Sequence, residues 1–278
     1  MNPTLKIPQL DIISKDLHKL PLLVCGERGA GKTCAIKSLV NHILQSDGKD
    51  ICFKVFDPSL AWLQLPPFKK IFRVSEKTIR RNQINNECNV IFLTGELTIN
   101  DRFSFVASII GGDYSERYHQ IIKNGHESLK GEPLIIYIVE EAQVVVGSYA
   151  LRSRNGSSDI MKDFISMGRN LGFSERGLSA ILSTQRLSEV SSQVVERGNL
   201  LIGKMSGDNN LRKLKRATSY GLLDKVRKLE RYQWLYWNGR TSKVFKIPQW
   251  ILPITEWTPE PPKKKHGILY RLLYPNRT

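Results

Sequence analysis

The sequence is short of several features, and each shortage excludes something. No apolar run approaches the roughly 20 residues that cross a bilayer, which argues against a helical membrane span. The first twenty residues alternate charged and aliphatic side chains and lack the apolar core of a signal peptide. Four cysteines, Cys25, Cys34, Cys52 and Cys88, show no Cys-x-x-Cys spacing and lie in or beside apolar runs, so they read as reduced thiols rather than disulfides or zinc ligands. The five histidines, at 18, 42, 119, 126 and 266, form no metal-spaced cluster, which argues against a transition-metal site. No Asn-Lys-x-Asp guanine-reading motif and no internal repeat occurs. The expectation is a soluble, cytoplasmic globular protein.

Acid is the scarcer charge. Lys and Arg number 42 against 26 Asp and Glu, a net charge of +16. From Ile202 to Thr278 there are 17 basic and 5 acidic residues, so much of the excess sits in the last quarter. Basic excess concentrated in this way favours a polyanionic partner, most simply nucleic acid. With 41% hydrophobic residues over 278 positions, the chain can bury a substantial core.

Aliphatic strands alternate with helical patterns. "LPLLVC" (20–25), "ICFKVF" (51–56), "NVIFLTG" (89–95), the strand within 133–147, "LSAILST" (178–184) and "NLLIGKMS" (199–206) are six candidate strands. Between them lie predicted helices after residue 31, over 99–123, and from "DIMKDFISMGRNLG". Such βαβ alternation predicts a mainly parallel sheet flanked by helices. "RYQWLYWNGRTSKVFKIP" differs: two alternating segments joined at Asn238-Gly239 predict a β-hairpin. We expect an N-terminal extension over 1–19, one domain over 20–258, and a Pro/Lys-rich basic linker and tail over 259–278, which either packs on the body as a helix or strand or docks a partner protein.

The chemistry is concentrated in Gly26-Glu-Arg-Gly-Ala-Gly31-Lys32-Thr33, which fits G-x-x-x-x-G-K-[ST] between a predicted strand and a predicted helix. Glycines let successive backbone N–H groups, through Gly29, Ala30, Gly31 and on to Cys34, turn toward a phosphate, and the helix N-terminus adds its positive end. Lys32 can reach β- and γ-phosphates and the Thr33 hydroxyl can ligate Mg²⁺. A nucleotide with Mg²⁺ is therefore the expected ligand, and the loop alone leaves kinase, GTPase and motor open. "LIIYIV" ends in Glu140-Glu141, two carboxylates at the carboxyl edge of a buried strand, where open parallel sheets bind ligands. "LSAILST" runs into Gln185-Arg186; an amide there can donate to phosphate and accept from water at any pH.

Taken in order, "GERGAGKT", "VFDPS", "IIYIVEEAQ" and "GRNLGFSERGLSAILSTQR" resemble the HerA–FtsK superfamily of RecA-like P-loop DNA-pumping ATPases, over roughly residues 18 to 250. The resemblance implies ATP as the nucleotide, with Lys32 and Thr33 as nucleotide and magnesium ligands, Glu141 as catalytic base and Gln185 as γ-phosphate sensor. It further implies Arg169, of the Gly168-Arg169 pair, as a finger reaching a neighbouring subunit, with Arg176 and Arg186 in reserve. Glu140 and Gln143 stand where the family commonly has Asp and His, which makes Glu140 a less direct metal ligand. The family implies a homo-hexameric ring translocating double-stranded DNA. The loop expected over 148–158 offers Arg152 and Arg154 to DNA phosphates, and the basic stretch 212–231 is a second candidate.

A motor without a membrane anchor or large extra domain most resembles compact viral genome-packaging ATPases, acting in the host cytoplasm with a capsid partner. A conjugation or DNA-end-processing translocase working with a nuclease is the alternative. A small-molecule kinase, or a module with a purely structural P-loop, is a further one.

Overall fold

The computed structural model of the chain describes residues 7–17, 19–46, 51–64, 68, 70–74, 90–129, 131–152, 156–167, 177–218 and 220–247. Four strands build the centre: β1 (Leu22–Cys25), β2 (Ile51–Asp57), β5 (Leu134–Val139) and β6 (Leu178–Thr184). All of their residues are buried. This is why they read as unbroken apolar runs rather than as alternation, since both faces of an interior parallel strand are covered. β3 (Lys70–Arg73), β4 (Val90–Leu93), β7 (Asn199–Ile202), β8 (Gln233–Trp237) and β9 (Ser242–Lys246) complete the order β3-β4-β2-β5-β6-β1-β7-β8-β9. The first seven are mutually parallel. β8 and β9 form the expected antiparallel hairpin and add to β7. The N-terminal strand β1 is thus an interior strand, with Leu22 registered against Ile181 of β6 and Asn199 of β7.

Two apolar layers sandwich the sheet. One is capped by α1 (Pro8–Leu17) and α2 (Lys32–Ser46), with Leu10, Ile13, Leu17, Ile36 and Leu39 packed on Leu22, Val24, Val55 and Ile138. The other lies beneath α3 (Ile99–Asn124) and α6 (Gly156–Met167), where Val106, Ile110, Met161 and Phe164 meet Leu23, Cys25, Tyr137 and Leu182. The short α7 (Ser192–Arg197) leads into β7 and adds Val194 and Val195 to this second layer. α3 begins where the Thr98 hydroxyl accepts from the Asp101 N–H at 3.2 Å and ends at Gly125 with φ 76°. It also sits close to α6: a Cβ on Gly111 would lie 2.7 Å from Ile160. The stretch 1–19 contributes α1 to the first layer, and the Asp16 carboxylate accepts from the Tyr236 hydroxyl of β8 at 2.7 Å.

One buried polar cluster interrupts the second layer. Lys54 of β2 and the Tyr137 phenol both donate to Asp113 Oδ2 of α3, at 2.6 and 2.7 Å, and all three are almost fully buried. Burial, with the Asp113 charge beside it, pushes the Tyr137 phenol well above its ordinary value, so it stays protonated and remains a donor.

Two differences from expectation stand out. β3 is a strand that no sequence pattern announces. Within the loop expected over 148–158, the described residues are helical: after the single turn of α4 (Gln143–Val146), α5 (Ser148–Arg152) forms another helical turn, and α6 starts at Gly156. The reason is Leu151, buried against the core, whose N–H bonds the Gly147 carbonyl at 3.0 Å. Among the described residues, no helix is long and apolar enough to cross a membrane.

Candidate nucleotide site

Four strand ends meet at one carboxyl edge. β1 runs into the glycine loop, β2 into Asp57-Pro58-Ser59, β5 into Glu140-Glu141 and β6 into Gln185. They surround a cavity of about 240 Å³. Gly29, Gly31, Lys32, Thr33 and Cys34 line it from the loop side, Glu140 and Glu141 from β5, and Ser183, Thr184 and Gln185 from β6. Gly26 and Ala30 hold the loop from behind: Ala30 is buried, and the Gly26 Cα faces Ala30 and Gly203.

Gly29 and Gly31 take φ of 79° and 89°, the left-handed region that turns backbone N–H groups inward. Gly31 is doubly constrained, because a Cβ there would also lie 2.8 Å from the Tyr232 ring. Tyr232 itself holds φ 64°, and Arg231 Nε donates to the Gly29 carbonyl at 3.2 Å, so the turn before β8 braces the loop from outside. Nothing in the local sequence of 231–232 announces that contact.

Lys32 folds over the loop, its Nζ donating to the carbonyls of Gly26 and Glu27 at 3.0 Å each. Burial lowers its pKa, an effect opposed mainly by the Glu140 charge. An incoming polyphosphate would favour the ammonium further. Cys25, at the foot of the loop, is sealed in the core and its thiol is pushed up to about 12.

The two glutamates differ in environment. Glu140 is buried, and its Oε1 accepts from the Trp62 indole Nε1–H at 3.2 Å. Trp62 is fully buried in a 3₁₀ turn, Ala61–Gln64, that follows Asp57. Asp57 builds that turn, accepting from the Ser59 N–H, the Ser59 hydroxyl and the Trp62 N–H, each at 2.9 Å. Lys37 closes it by donating to the Ala61 carbonyl, with its ammonium 5.8 Å from the Trp62 ring. The "VFDPS" run thus carries a fixed turn whose product is one oriented indole N–H.

Glu141 is half-exposed, sits at φ 54° and pairs through Oε2 with Arg102 Nη1 of α3 at 3.3 Å. A left-handed non-glycine residue costs on the order of 1–3 kcal/mol and persists only where its neighbours over-determine it. Here the adjacent Glu140 and Ala142 N–H groups are fixed to the Phe56 and Ser183 carbonyls at 3.2 and 2.7 Å. Gln143 reaches the Thr184 hydroxyl at 2.8 Å, tying the turn after β5 to the end of β6. Thr184 also accepts from the Arg186 N–H at 2.9 Å, which bends the chain so that Gln185 is exposed at the cavity rim.

Of the arginines, Arg186 is exposed and pairs with Glu189 at 3.0 Å, and Arg152 is exposed at the end of α5. Arg154, Arg169, Arg176 and the 259–278 tail lie outside the described residues.

The architecture defines a P-loop NTPase fold. No protein-family profile matches the sequence, and no curated protein matches it; the likeness lies in three dimensions. The genome-packaging NTPase B204 of Sulfolobus turreted icosahedral virus 2, solved with AMPPCP, superposes with a TM-score of 0.58 at 17% identity, over 82% of this chain and 98% of that one. The pCW3 conjugation coupling protein TcpA, in monomer form with ATPγS, gives 0.54 at 13% identity, over 83% of this chain and 61% of that one. EssC (ATPases 2 and 3) of Geobacillus thermodenitrificans gives 0.53 at 12%, over 82% and 39%. The chain therefore shares the fold of these three proteins.

Proposed function

We propose that the chain is a HerA–FtsK superfamily ATPase that hydrolyses ATP to move double-stranded DNA, working as a hexameric ring in the packaging of a viral genome. One observation carries the ATPase reading: the glycine loop, the Glu140-Glu141 pair and Gln185 converge on a single cavity at the carboxyl edge of the sheet. Packaging is favoured over conjugation because B204 superposes at the higher score and identity, 0.58 and 17% against 0.54 and 13% for TcpA.

Lys32 leaves its two carbonyls to neutralise the β- and γ-phosphates. Glu141 accepts the proton of the attacking water as the bond between the γ-phosphorus and the β–γ bridging oxygen breaks and ADP leaves. Gln185 donates to a γ-phosphate oxygen while accepting from that water. Arg169 of a neighbouring subunit supplies the finger, and Arg152 and Arg154 follow DNA phosphates. The basic tail meets a capsid or nuclease partner.

The donors suit magnesium, which needs only one or two protein oxygens beside phosphate and water. Thr33 Oγ1 and the Glu140 oxygen not bonded to Trp62 would hold it, and when bound it screens the phosphate charge that opposes attack. Glu140 is one methylene longer than the family's aspartate, and the indole of Trp62 fixes the carboxylate despite that length. Trp62→Phe keeps an aromatic ring but removes the donor. Mg²⁺ half-saturation of fluorescent-nucleotide binding should then rise by about 10-fold or more, with metal-free nucleotide affinity unchanged. An unaltered Mg²⁺ dependence would exclude the orienting role.

For the function itself, ATP turnover by purified protein should rise several-fold on adding duplex DNA, and the gain should fade as salt screens the contact. DNA-independent turnover by a monomer would overturn the motor reading while leaving the nucleotide site intact.

A further inference from the structure

α8 (Asp208–Ala217) lies on the β6 side of the site and does two things at once. Its inner face is apolar, with Leu211 and Leu214 buried. Its outer face presents Arg212, Lys215 and Arg216, all exposed. Their i, i+3 and i, i+4 spacing puts the three cations on one side of the helix. α9 (Tyr220–Arg227) packs beside it and adds exposed Lys225 and Arg227, followed by exposed Lys228. Across 208–231 there are eight basic residues against three acidic ones. Two of these lysines are answered by neutral groups: Lys213 donates to the Ser192 hydroxyl at 2.7 Å and Lys225 to the Ser242 hydroxyl at 2.8 Å. Burial lowers the Lys213 pKa against the pull of Glu196, with a smaller push from the Arg216 charge.

The same helix grips the turn that carries Gln185. The Asn210 side-chain oxygen accepts from the Ser188 N–H at 2.9 Å, and its Nδ2 donates to the Gln185 carbonyl at 3.4 Å. Asn210 thereby ties α8 to the turn that places Gln185 at the rim of the nucleotide cavity.

We infer that the outer face of α8, continued by α9, docks the phosphate backbone of duplex DNA, and that Asn210 transmits that docking to Gln185. This rests on the DNA-motor reading above and adds both a surface and a route of regulation. α8 has no aromatic residue and α9 only its first residue, Tyr220, so the two helices offer no row of rings for successive unpaired bases to stack on, which favours a duplex over a single strand. Cations without base-reading partners hold phosphates regardless of sequence.

The test uses the full chain and a labelled blunt duplex titrated over a potassium chloride series. In the Arg212→Gln/Lys215→Gln/Arg216→Gln variant, the slope of log affinity against log salt should become shallower by about 3, at roughly 0.9 for each phosphate no longer neutralised. DNA-free ATPase should match wild type and DNA stimulation should disappear. Asn210→Ala should bind duplex as wild type does yet lose the stimulation. A wild-type salt slope in the triple variant, or tighter wild-type binding to single strands, overturns the docking surface. Stimulation that persists in Asn210→Ala overturns the relay. Wild-type protein that hydrolyses ATP but binds no duplex overturns the DNA reading itself, a result distinguishable because it appears before any substitution is made.

Discussion

Glu141→Gln should stop steady-state hydrolysis, lowering turnover by about 10²–10⁴-fold, the range a positioned general base contributes, while the protein still binds nucleotide. Glutamine keeps the length and shape of the side chain but cannot take a proton from water. The ion pair with Arg102 that the substitution removes is half-exposed on the Glu141 side, and such pairs contribute only about 0.2–1 kcal/mol. Thermal stability should therefore change little, separating a chemical defect from a folding one. Single-turnover hydrolysis beside fluorescent-nucleotide binding makes the measurement. Near-normal turnover in Glu141→Gln would move the base role elsewhere, and a fall in nucleotide affinity would show that the substitution had disturbed the loop instead.

The second large effect is on stability. Asp113→Ala leaves the Lys54 ammonium and the Tyr137 hydroxyl buried beneath α3 without their acceptor. Removing one partner of a buried ion pair costs about 3–5 kcal/mol, because the orphaned charge stays out of water. For a chain of this size that is a fall in melting temperature of roughly 10 °C. Replacing the pair together, Lys54→Met with Asp113→Leu, removes both desolvated charges and should recover most of the loss. Calorimetry or urea unfolding on the two variants checks this. An Asp113→Ala protein as stable as wild type would mean that water reaches Lys54.

What the sequence reveals, and what it hides, follows from the range of the interactions. β1, β2, β5 and β6 are legible because burial on both faces demands unbroken aliphatic runs, and the glycine loop because its φ angles demand glycine. β3 escapes because "KIFR" is four residues with a cation at each end, which suits the margin of a sheet better than its interior. The helical turn at 148–152 hides behind serines and arginines, and its single anchor, Leu151, makes no pattern alone. The site is visible in the sequence as four separate strand ends, but the wiring between them is not. Trp62 and Glu140 are 78 residues apart, and Gln143 and Thr184 are 41 apart. No local periodicity encodes such pairs. The Arg102–Glu141 pair is hidden in the same way, and the left-handed backbone of Glu141 has no residue-type signature, since glutamate is not a residue that favours it.

The position of β1 has a consequence for how the protein comes into being. The strand that feeds the phosphate loop is made first, yet both of its neighbours, through Ile181 and Asn199, come from far later in the chain. During synthesis β1 therefore waits without a partner while most of the polypeptide emerges. Non-local parallel pairing of this kind folds slowly and leaves apolar strands exposed in the meantime. A nascent chain lacking β6 and β7 has the whole glycine motif but no cradle to hold it in shape. Nucleotide binding should therefore follow the pairing of β6 and β7 with β1 and so reward completion of the fold.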